Sequence, residues 1–469
     1  MANTVAKYQK YAEYQDSGIE WLGEIPSHWT FTSLKRFSFV KGGYAFSSDI
    51  FTSVGKPIIR IGDIQADGSI SLENCKNIPL TLAENSQDYL VTKGQILMAM
   101  TGATIGKAGI FNSDEVAYLN QRVGKFIIDS NALNYGYLWY LLKTHGYQEY
   151  IRLTAFGGAQ PNISDTAMVD FNTCIPSLSE QEKIANFLDH ETAKIDHLIE
   201  KQQQLIELLK EKRQAVISHA VTKGLDPNVP MKDSGVEWLG EVPEHWTKSK
   251  LVSVADGTKG CFVNGPFGSD LLANELRDEG VPVVYIRDIK PTGYKRKSTV
   301  HVTEQKARQL EICNVKVDDV IISKVGDPPG DACLYPKGEP DAIVTQDVIR
   351  IRVDRSKFNP KFIVYLLNSD FGRLVMDNIS VEGTRKRVSL GDFKDTRFVF
   401  PPLEEQELIV ENLNSACKSI DLIIARAIHG IGLIQERRTA LISAAVTGKI
   451  DVRNWQAPTL AEADTELSA

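Results

Sequence analysis

The stretch Asp16-Ser-Gly-Ile-Glu-Trp-Leu-Gly-Glu-Ile-Pro-Ser-His-Trp29 returns 217 residues later as Asp233-Ser-Gly-Val-Glu-Trp-Leu-Gly-Glu-Val-Pro-Glu-His-Trp246. Eleven of the fourteen positions are identical, and two of the three differences exchange Ile for Val. The correspondence then continues in order at an offset of 225. Pro57-Ile-Ile-Arg-Ile-Gly-Asp-Ile64 faces Pro282-Val-Val-Tyr-Ile-Arg-Asp-Ile289, and Gly158-Ala-Gln-Pro-Asn-Ile-Ser164 faces Gly383-Thr-Arg-Lys-Arg-Val-Ser389. Pro176-Ser-Leu-Ser-Glu-Gln-Glu182 faces Pro401-Pro-Leu-Glu-Glu-Gln-Glu407, and Ser218-His-Ala-Val-Thr222 faces Ser443-Ala-Ala-Val-Thr447. Chance does not preserve that order. The chain is one module duplicated, with an insertion near the start of the second copy.

Each module has two parts. The first mixes short β-rich runs (Ile58 to Ile64, Gln95 to Met100, Val320 to Ser323, Val348 to Val353) with Gly/Pro/Asn/Asp turns. A helical pattern, Tyr137 to Leu142 and Phe362 to Leu367, sits in both copies. Strands and helices do not alternate regularly, so an α+β globule is predicted rather than a doubly wound sheet. The second part is a long helix. Ser179-Glu-Gln-Glu182 has the form of a capping box after Pro176. Heptads then place Leu188, Ile195, Gln202, Leu209 and Val216 in one row and Glu191, Leu198, Leu205, Lys212 and His219 in another. The second copy gives Leu413, Ile420, Ala427, Ile434 and Leu441, with Ala416, Ile423, Gly430, Arg437 and Ala444. Ile199 and Ile206, matched by Ile424 and Ile431, widen the stripe. A helix of about 40 residues is about 60 Å long, too long to bury its stripe on its own globule. It must meet its partner helix, another protein, or both. Gly430 and Gly432 read either as sites of close approach or as tolerated weak points.

The predicted organisation is a first globule over 1–175, a helix over 176–226, a second globule over 227–400, a helix over 401–450, and a flexible acidic tail over 451–469. The 469 residues hold 53 Lys plus Arg against 60 Asp plus Glu, a formal charge of −7, with 42% hydrophobic residues. Those values suit a globular protein and exclude collagen-like, mucin-like and wholly disordered chains. They argue against a histone-like binder held by bulk charge, but leave room for locally basic faces. Asp451, Glu462, Asp464 and Glu466 against Arg453 put three of the seven net charges in the tail. The six cysteines are scattered without a CxxC, which predicts reduced thiols in a cytoplasmic protein rather than disulfides or zinc. The first residues lack the apolar core of a signal peptide, and no apolar run is long enough to span a membrane.

The pattern DSGxEWLGExPxHW, the P-L-x-E-Q-E helix start and the S-x-A-V-T-x-x-x-D helix end resemble the specificity subunit of type I restriction–modification enzymes. The resemblance covers about 16–226 and 233–451. It implies two target-recognition domains, each reading one half of a bipartite site in double-stranded DNA. It further implies that two antiparallel, coiled-coil-like helices set the spacing and dock two methyltransferase subunits, with restriction/translocase subunits completing the complex. By the same resemblance the chain has no catalytic site and no cofactor. S-adenosylmethionine, ATP and magnesium belong to the partners. A scaffold whose globules bind proteins, and an enzyme with a hidden site, are the alternatives from other classes.

Motifs for catalysis are weak. Asp327-Pro-Pro-Gly330 resembles an amino-methyltransferase motif but has Gly where an aromatic would stack on the base. Gly102-Ala-Thr-Ile-Gly-Lys107 is one residue short of a phosphate loop, and Ala108 replaces its Ser/Thr. Both read as turns. Trp21, Trp29, Trp238 and Trp246 recur identically in modules that should read different sequences, so they read as structural clamps. DNA contacts are expected where the modules differ. In the first these are Thr101, Gly102, Thr104 and Lys107 after the central strand, then Gln121, Arg122, Gln160 and Asn162. In the second they are Tyr294, Lys295, Arg296 and Lys297, with Lys324, Arg385, Lys386 and Arg387. Arg suits guanine, Gln and Asn suit adenine, and Lys suits phosphate.

Overall fold

The computed structural model describes residues 8–158, 160–266, 268, 270–383 and 385–457. They form two compact units, one of residues up to 202 together with those from 429, the other of residues 203–428. In the first unit the strands β1 (Ser38–Gly42), β2 (Lys56–Ile59), β3 (Lys76–Ile78), β4 (Leu90–Val91), β5 (Ile96–Ala99), β6 (Ala108–Ile110), β7 (Ala117–Leu119) and β8 (Val123–Ile128) build two sheets, ordered β3-β2-β7-β4 and β1-β8-β5-β6. The second unit repeats them as β9 (Phe262–Asn264), β10 (Val281–Val284), β11 (His301–Val302), β12 (Asn314–Val315), β13 (Val320–Ser323), β14 (Ala332–Leu334), β15 (Ala342–Val344) and β16 (Val348–Ile351). Their sheets run β11-β10-β15-β12 and β9-β16-β13-β14, the same order strand for strand. In both units one pair is parallel, β2 with β7 and β10 with β15. The class is α+β, with two repeated globules.

The apolar run of β5 is explained by burial on both faces. Ile96 and Met98 point into the large core of the unit, while Leu97 and Ala99 point into a second core between the sheets. In β13, Val320 and Ile322 alternate with Ile321 in the same way. Helix α1 (Tyr135–Leu142) starts at Asn134, whose side chain accepts the Tyr137 N–H at 3.0 Å. The equivalent α3 (Pro360–Asn368) follows α2 (Leu178–Lys223) in the chain and has Asn359 as its cap. The last long helix is α4 (Leu403–Val446).

The P-L-x-E-Q-E residues join each globule to its helix. Gln181 is fully buried; its amide accepts the Asn134 N–H and donates to the carbonyls of Ala132 and Pro176. Gln406 repeats this with Asn359, Lys357 and Pro401. Glu180 turns toward the repeated motif, accepting from Tyr11 Oη at 2.7 Å and Trp29 Nε1 at 3.2 Å, with His28 Nε2 at 2.9 Å. Glu405 holds Trp246 Nε1 at 3.1 Å and His245 Nε2 at 2.7 Å. The expected capping box at Ser179 and Glu182 is not used. The N-cap falls two residues earlier, at Ser177, whose Oγ accepts the Glu180 N–H at 3.4 Å, and the helix begins at Leu178.

In each unit the long helices pair antiparallel. Asp196 meets Arg438 at 3.0 Å in the first unit, and Asp421 meets Arg213 at 3.1 Å in the second. The two pairs are equivalents at the 225-residue offset. Of the predicted interface residues, Leu188, Ile195, Leu413, Ile420, Ala427 and Leu441 are buried. Leu209, Val216 and Ile434 are half-buried. Leu198, Leu205 and Ile423 are not in the seam. They stay 46%, 40% and 44% exposed. The second row runs four residues after the first, through Thr192, Ile199, Ile206, Arg213 and Ala220 and their equivalents Cys417, Ile424, Ile431, Arg438 and Ala445. At 3.6 residues per turn the positions three and four along flank the first row on opposite sides, and both flanks carry apolar residues here. The partner helix covers one flank. Gly430 and Gly432 are tolerated weak points, since a Cβ at either would meet nothing within 4 Å.

The helix ends return to the repeated motif. Gly448 ends α4 at φ +71°, with Pro26 and Trp29 so close that a Cβ would clash; Lys449 donates to the carbonyls of Leu22 and Glu24. At the end of α2, Gly224 adopts φ +78° beside Trp246 and Pro243, and Lys223 donates to the Glu241 carbonyl. Two side chains of residues 451–457 pack on the first unit. Val452 is buried and the Trp455 ring lies 5.6 Å from Phe187. The rest of the expected tail, 458–469, lies outside the described residues. Three of the four tryptophans act as clamps. Trp21 stacks on Phe171 at 5.2 Å against Gly146, whereas Trp238 is 54% exposed. Its slot is gone because the second module has Thr396 for Phe171 and Phe371 for Gly146.

Removing the Glu180 carboxylate strands buried donors, and Glu180 is less exposed than Glu405 (5% against 26%). Glu180→Ala is expected to cost about 3 kcal/mol and Glu405→Ala about 1 kcal/mol, which denaturant unfolding would measure.

Candidate nucleic-acid interface

Three segments converge in each globule. In the first, Met100 donates its N–H to the Arg122 carbonyl at 2.9 Å, Gly102 donates to Pro161 at 2.8 Å, and Ile163 donates to Met100 at 3.0 Å. Thr101 thereby pairs with Asn162 across a β-bridge. In the second, Lys324 donates to Asp347 at 2.8 Å and Val388 to Lys324 at 3.0 Å, while Val325 pairs with Arg387. The turn after the central strand, the turn between the last two strands of the sheets and a late loop are thus tied together twice. The offset is 224 in the first segment and 225 in the others, so Lys324 is the counterpart of Met100. Gly102–Lys107 is a hairpin turn into β6, closed by the Gly106 N–H on the Ala99 carbonyl at 3.0 Å. Asp327–Gly330 is its counterpart, closed by Gly330 on Ser323 at 2.9 Å.

The expected residues divide sharply. Gln121, Arg122 and Gln160 are exposed, and Lys107 is half-buried. Thr101 is buried, and among the described residues neither its hydroxyl nor that of Thr104 has a hydrogen-bond partner. Thr101 is thus enclosed within the junction rather than on its surface. Asn162 spends its side-chain amide on the Gln160 carbonyl at 3.0 Å. In the second globule Lys324, Arg385 and Arg387 line one cavity of about 630 Å³ with Asp347 and Glu382. Arg387 Nη2 lies 3.3 Å from Asp347, and Lys386 is tied to Asp377 at 2.5 Å. Burial lowers the Lys324 pKa, and the neighbouring Arg387 lowers it further. An anion bound there would favour its charged form.

The 294–297 cluster is not part of this cavity. Tyr294 packs on Tyr335 at 5.1 Å and lines a separate cavity with Arg213 and Tyr365. Burial raises its phenol, with Tyr335 adding to the shift. Arg296 pairs with Glu339 at 3.4 Å, and the Lys297 N–H donates to the buried Asp288 at 2.8 Å. Lys295 and Lys297 remain exposed. The backbone of 294–298 wraps Asp288, a role its basic composition conceals. A second cavity of about 560 Å³ shares Arg385 and Asp347 and adds Arg287, Lys290, Asp327 and Gln346, which lie outside the expected DNA contacts. Applying the repeat to Gln121 and Arg122 leads directly to Gln346 and Asp347.

The type I restriction modification DNA specificity domain model matches residues 26–208 and again 244–428. The chain belongs to that family. Among curated relatives, the EcoBI specificity subunit of Escherichia coli is 24% identical over 452 residues, covering 95% of this chain and 91% of the relative. The StySPI specificity subunit of Salmonella potsdam is 23% identical over 455 residues, covering 93% and 92%. The same fold is found in a chain solved in a study of assembly and conformational transition of the type I R-M system, with TM-score 0.63, 14% identity, and coverage of 90% and 98%. The HsdS subunit of Thermoanaerobacter tengcongensis gives TM-score 0.55 at 14% identity, with coverage of 91% and 98%. DNA sequence recognition as a type I specificity subunit is therefore the function of the family to which both modules belong. Among the described residues no helix is long and apolar enough to cross a membrane, and no His, Cys, Asp and Glu side chains gather as a metal site.

Thr101→Val removes a shielded hydroxyl without changing shape. It is expected to leave thermal stability unchanged or slightly raised, within about 0.5 kcal/mol, and to leave sequence preference as it was.

Proposed function

We propose that this chain is a non-catalytic specificity subunit whose two globules each bind one half of a bipartite duplex target. The observation that carries this reading is the repeated junction of three segments, with the same backbone pairing in both globules and different side chains at its surface. Exposed Gln121, Arg122 and Gln160 occupy it in the first, and Lys324, Arg385 and Arg387 in the second. A shared frame with exchanged donors and acceptors is what reading two unlike half-sites requires. The first globule reads mainly through amides, and the second mainly through guanidinium groups. The alternative of a protein-binding scaffold has no such feature in its favour.

The paired helices set the gap between half-sites and dock two methyltransferase subunits, with restriction/translocase subunits joining them. Exposed apolar residues on the helices support docking. In the first unit Leu198 and Leu433 are uncovered, and in the second Leu205, Leu208, Leu422 and Ile423. S-adenosylmethionine, ATP and magnesium act in those partners in the cytoplasm, and this chain binds none of them.

The complex reconstituted with its methyltransferase subunits should prefer one split sequence. Arg385→Ala with Arg387→Ala should weaken discrimination about tenfold or more at one half-site and leave the other intact. Equal loss at both halves would overturn the assignment of one globule to each half. Inserting one heptad after Gln202 and another after Ala427 should lengthen the gap in the methylated sequence, and an unchanged gap would overturn the spacer role.

A further inference from the structure

We infer that Arg287 is a base-reading residue of the second globule and that it takes the edge of a guanine. This deepens the DNA-reading assignment proposed above and rests on it. Arg287 lies in a turn just beyond β10, where the chain leaves the sheet as Tyr285-Ile-Arg-Asp288. The turn is set by Asp288, which is fully buried and accepts the N–H groups of Tyr285 at 2.8 Å, Lys297 at 2.8 Å and Ser298 at 3.0 Å. Ser298 Oγ donates to the same carboxylate at 2.7 Å and accepts Arg287 Nε at 2.8 Å. The guanidinium then lies over the Tyr285 ring, 5.0 Å from its centre.

Those contacts immobilise an exposed arginine through its Nε and its face. They leave the Nη fork as the part that a ligand can meet. Arg287 lines the cavity that also holds Arg385, Gln346 and three carboxylates, Asp327, Asp331 and Asp347. Asp331 is tied to Arg373 at 2.8 Å, and Asp347 to Arg387 at 3.3 Å. The three carboxylates offset Arg287, Arg385 and Lys290 on that rim, so it is not a uniformly positive trap for phosphate, and the fork suits a neutral base edge. Guanine O6 and N7 accept such a fork with both hydrogen bonds.

The first globule has the same turn with another side chain. Asp63 accepts the Arg60 N–H at 2.7 Å, as Asp288 does that of Tyr285. Gly62 stands where Arg287 does, and Arg60 where Tyr285 does, with Arg60 Nε turned back to Asp63 at 3.7 Å. A constant frame with an exchanged side chain makes Arg287 a determinant of one half-site only. Tyr285 and Ser298 are positioning residues.

The test scores methylation of a randomised duplex library by the complex reconstituted with its methyltransferase subunits. Arg287→Ala should lower the preference for one G·C pair in one half-site about tenfold or more, with the other half unchanged. Tyr285→Leu should weaken the same pair by less. Arg287→Gln, which keeps the aliphatic stem on Tyr285, should shift preference at that pair and guards against a folding defect in the Ala variant. Unchanged preferences in Arg287→Ala would overturn the inference, as would equal loss on every sequence in a variant that melts like the wild type. A wild-type complex without any split preference would overturn the DNA-specificity reading itself, and this assignment with it.

Discussion

One carboxylate in each unit holds together three things that lie far apart in sequence. Glu180, in the first turn of one long helix, receives the indole and imidazole of Trp29 and His28, and that indole lies against Gly448 at the end of the other helix. Glu405 does the same with Trp246, His245 and Gly224. An acid with several donors is costly to disrupt where it is buried, as Glu180 is, and in both units it fixes where the globule meets the start of one helix and the end of the other. The repeated motif and the two helix-end motifs are therefore parts of a single joint. Lys-Gly at 223–224 and Gly-Lys at 448–449 reverse their order yet both supply a residue without Cβ and an amine to the same strand carbonyls.

With the joints fixed, the globules can differ at their surfaces without altering their frames. The sheets have the same order, the central strands are buried on both faces, and the Asp-anchored turns at Asp63 and Asp288 coincide. What changes is the side chain presented: Gly62 against Arg287, Arg122 against Asp347, Gln160 against Arg385. Salt bridges inside the second surface, such as Arg387 with Asp347, hold cations among acids rather than as a uniform positive field. That arrangement agrees with the chain's overall negative charge, and on the reading proposed above it serves base edges more than phosphates.

The repeat was legible in the sequence because eleven identities in fourteen residues need no structure to see, and the α+β class followed from short strands without regular alternation. The seam between helices was half legible. Apolar residues flank the first row on both sides, at Leu198 and Leu205 as well as Ile199 and Ile206, and only packing decides which flank is covered. Trp238 looked equivalent to Trp21 because its own motif is intact, while the loss of its slot lies in Phe371 and Thr396 more than a hundred residues away. The site was less legible still. Basic composition drew attention to Tyr294–Lys297, whose backbone serves Asp288, and away from Arg287, a single arginine in an apolar stretch. Thr101 and Asn162 lie at the junction yet face inward or bond their own loop.

The central claim is that this chain makes its partners recognise two unlike half-sites at a fixed distance. Mapping methylated bases across the genome of cells carrying the complete system, with and without this chain, tests it most directly. The account predicts a single motif made of two dissimilar specific segments separated by an unread gap of constant length, absent when the chain is removed. A continuous motif, a variable gap, or methylation that persists unchanged without the chain would contradict it.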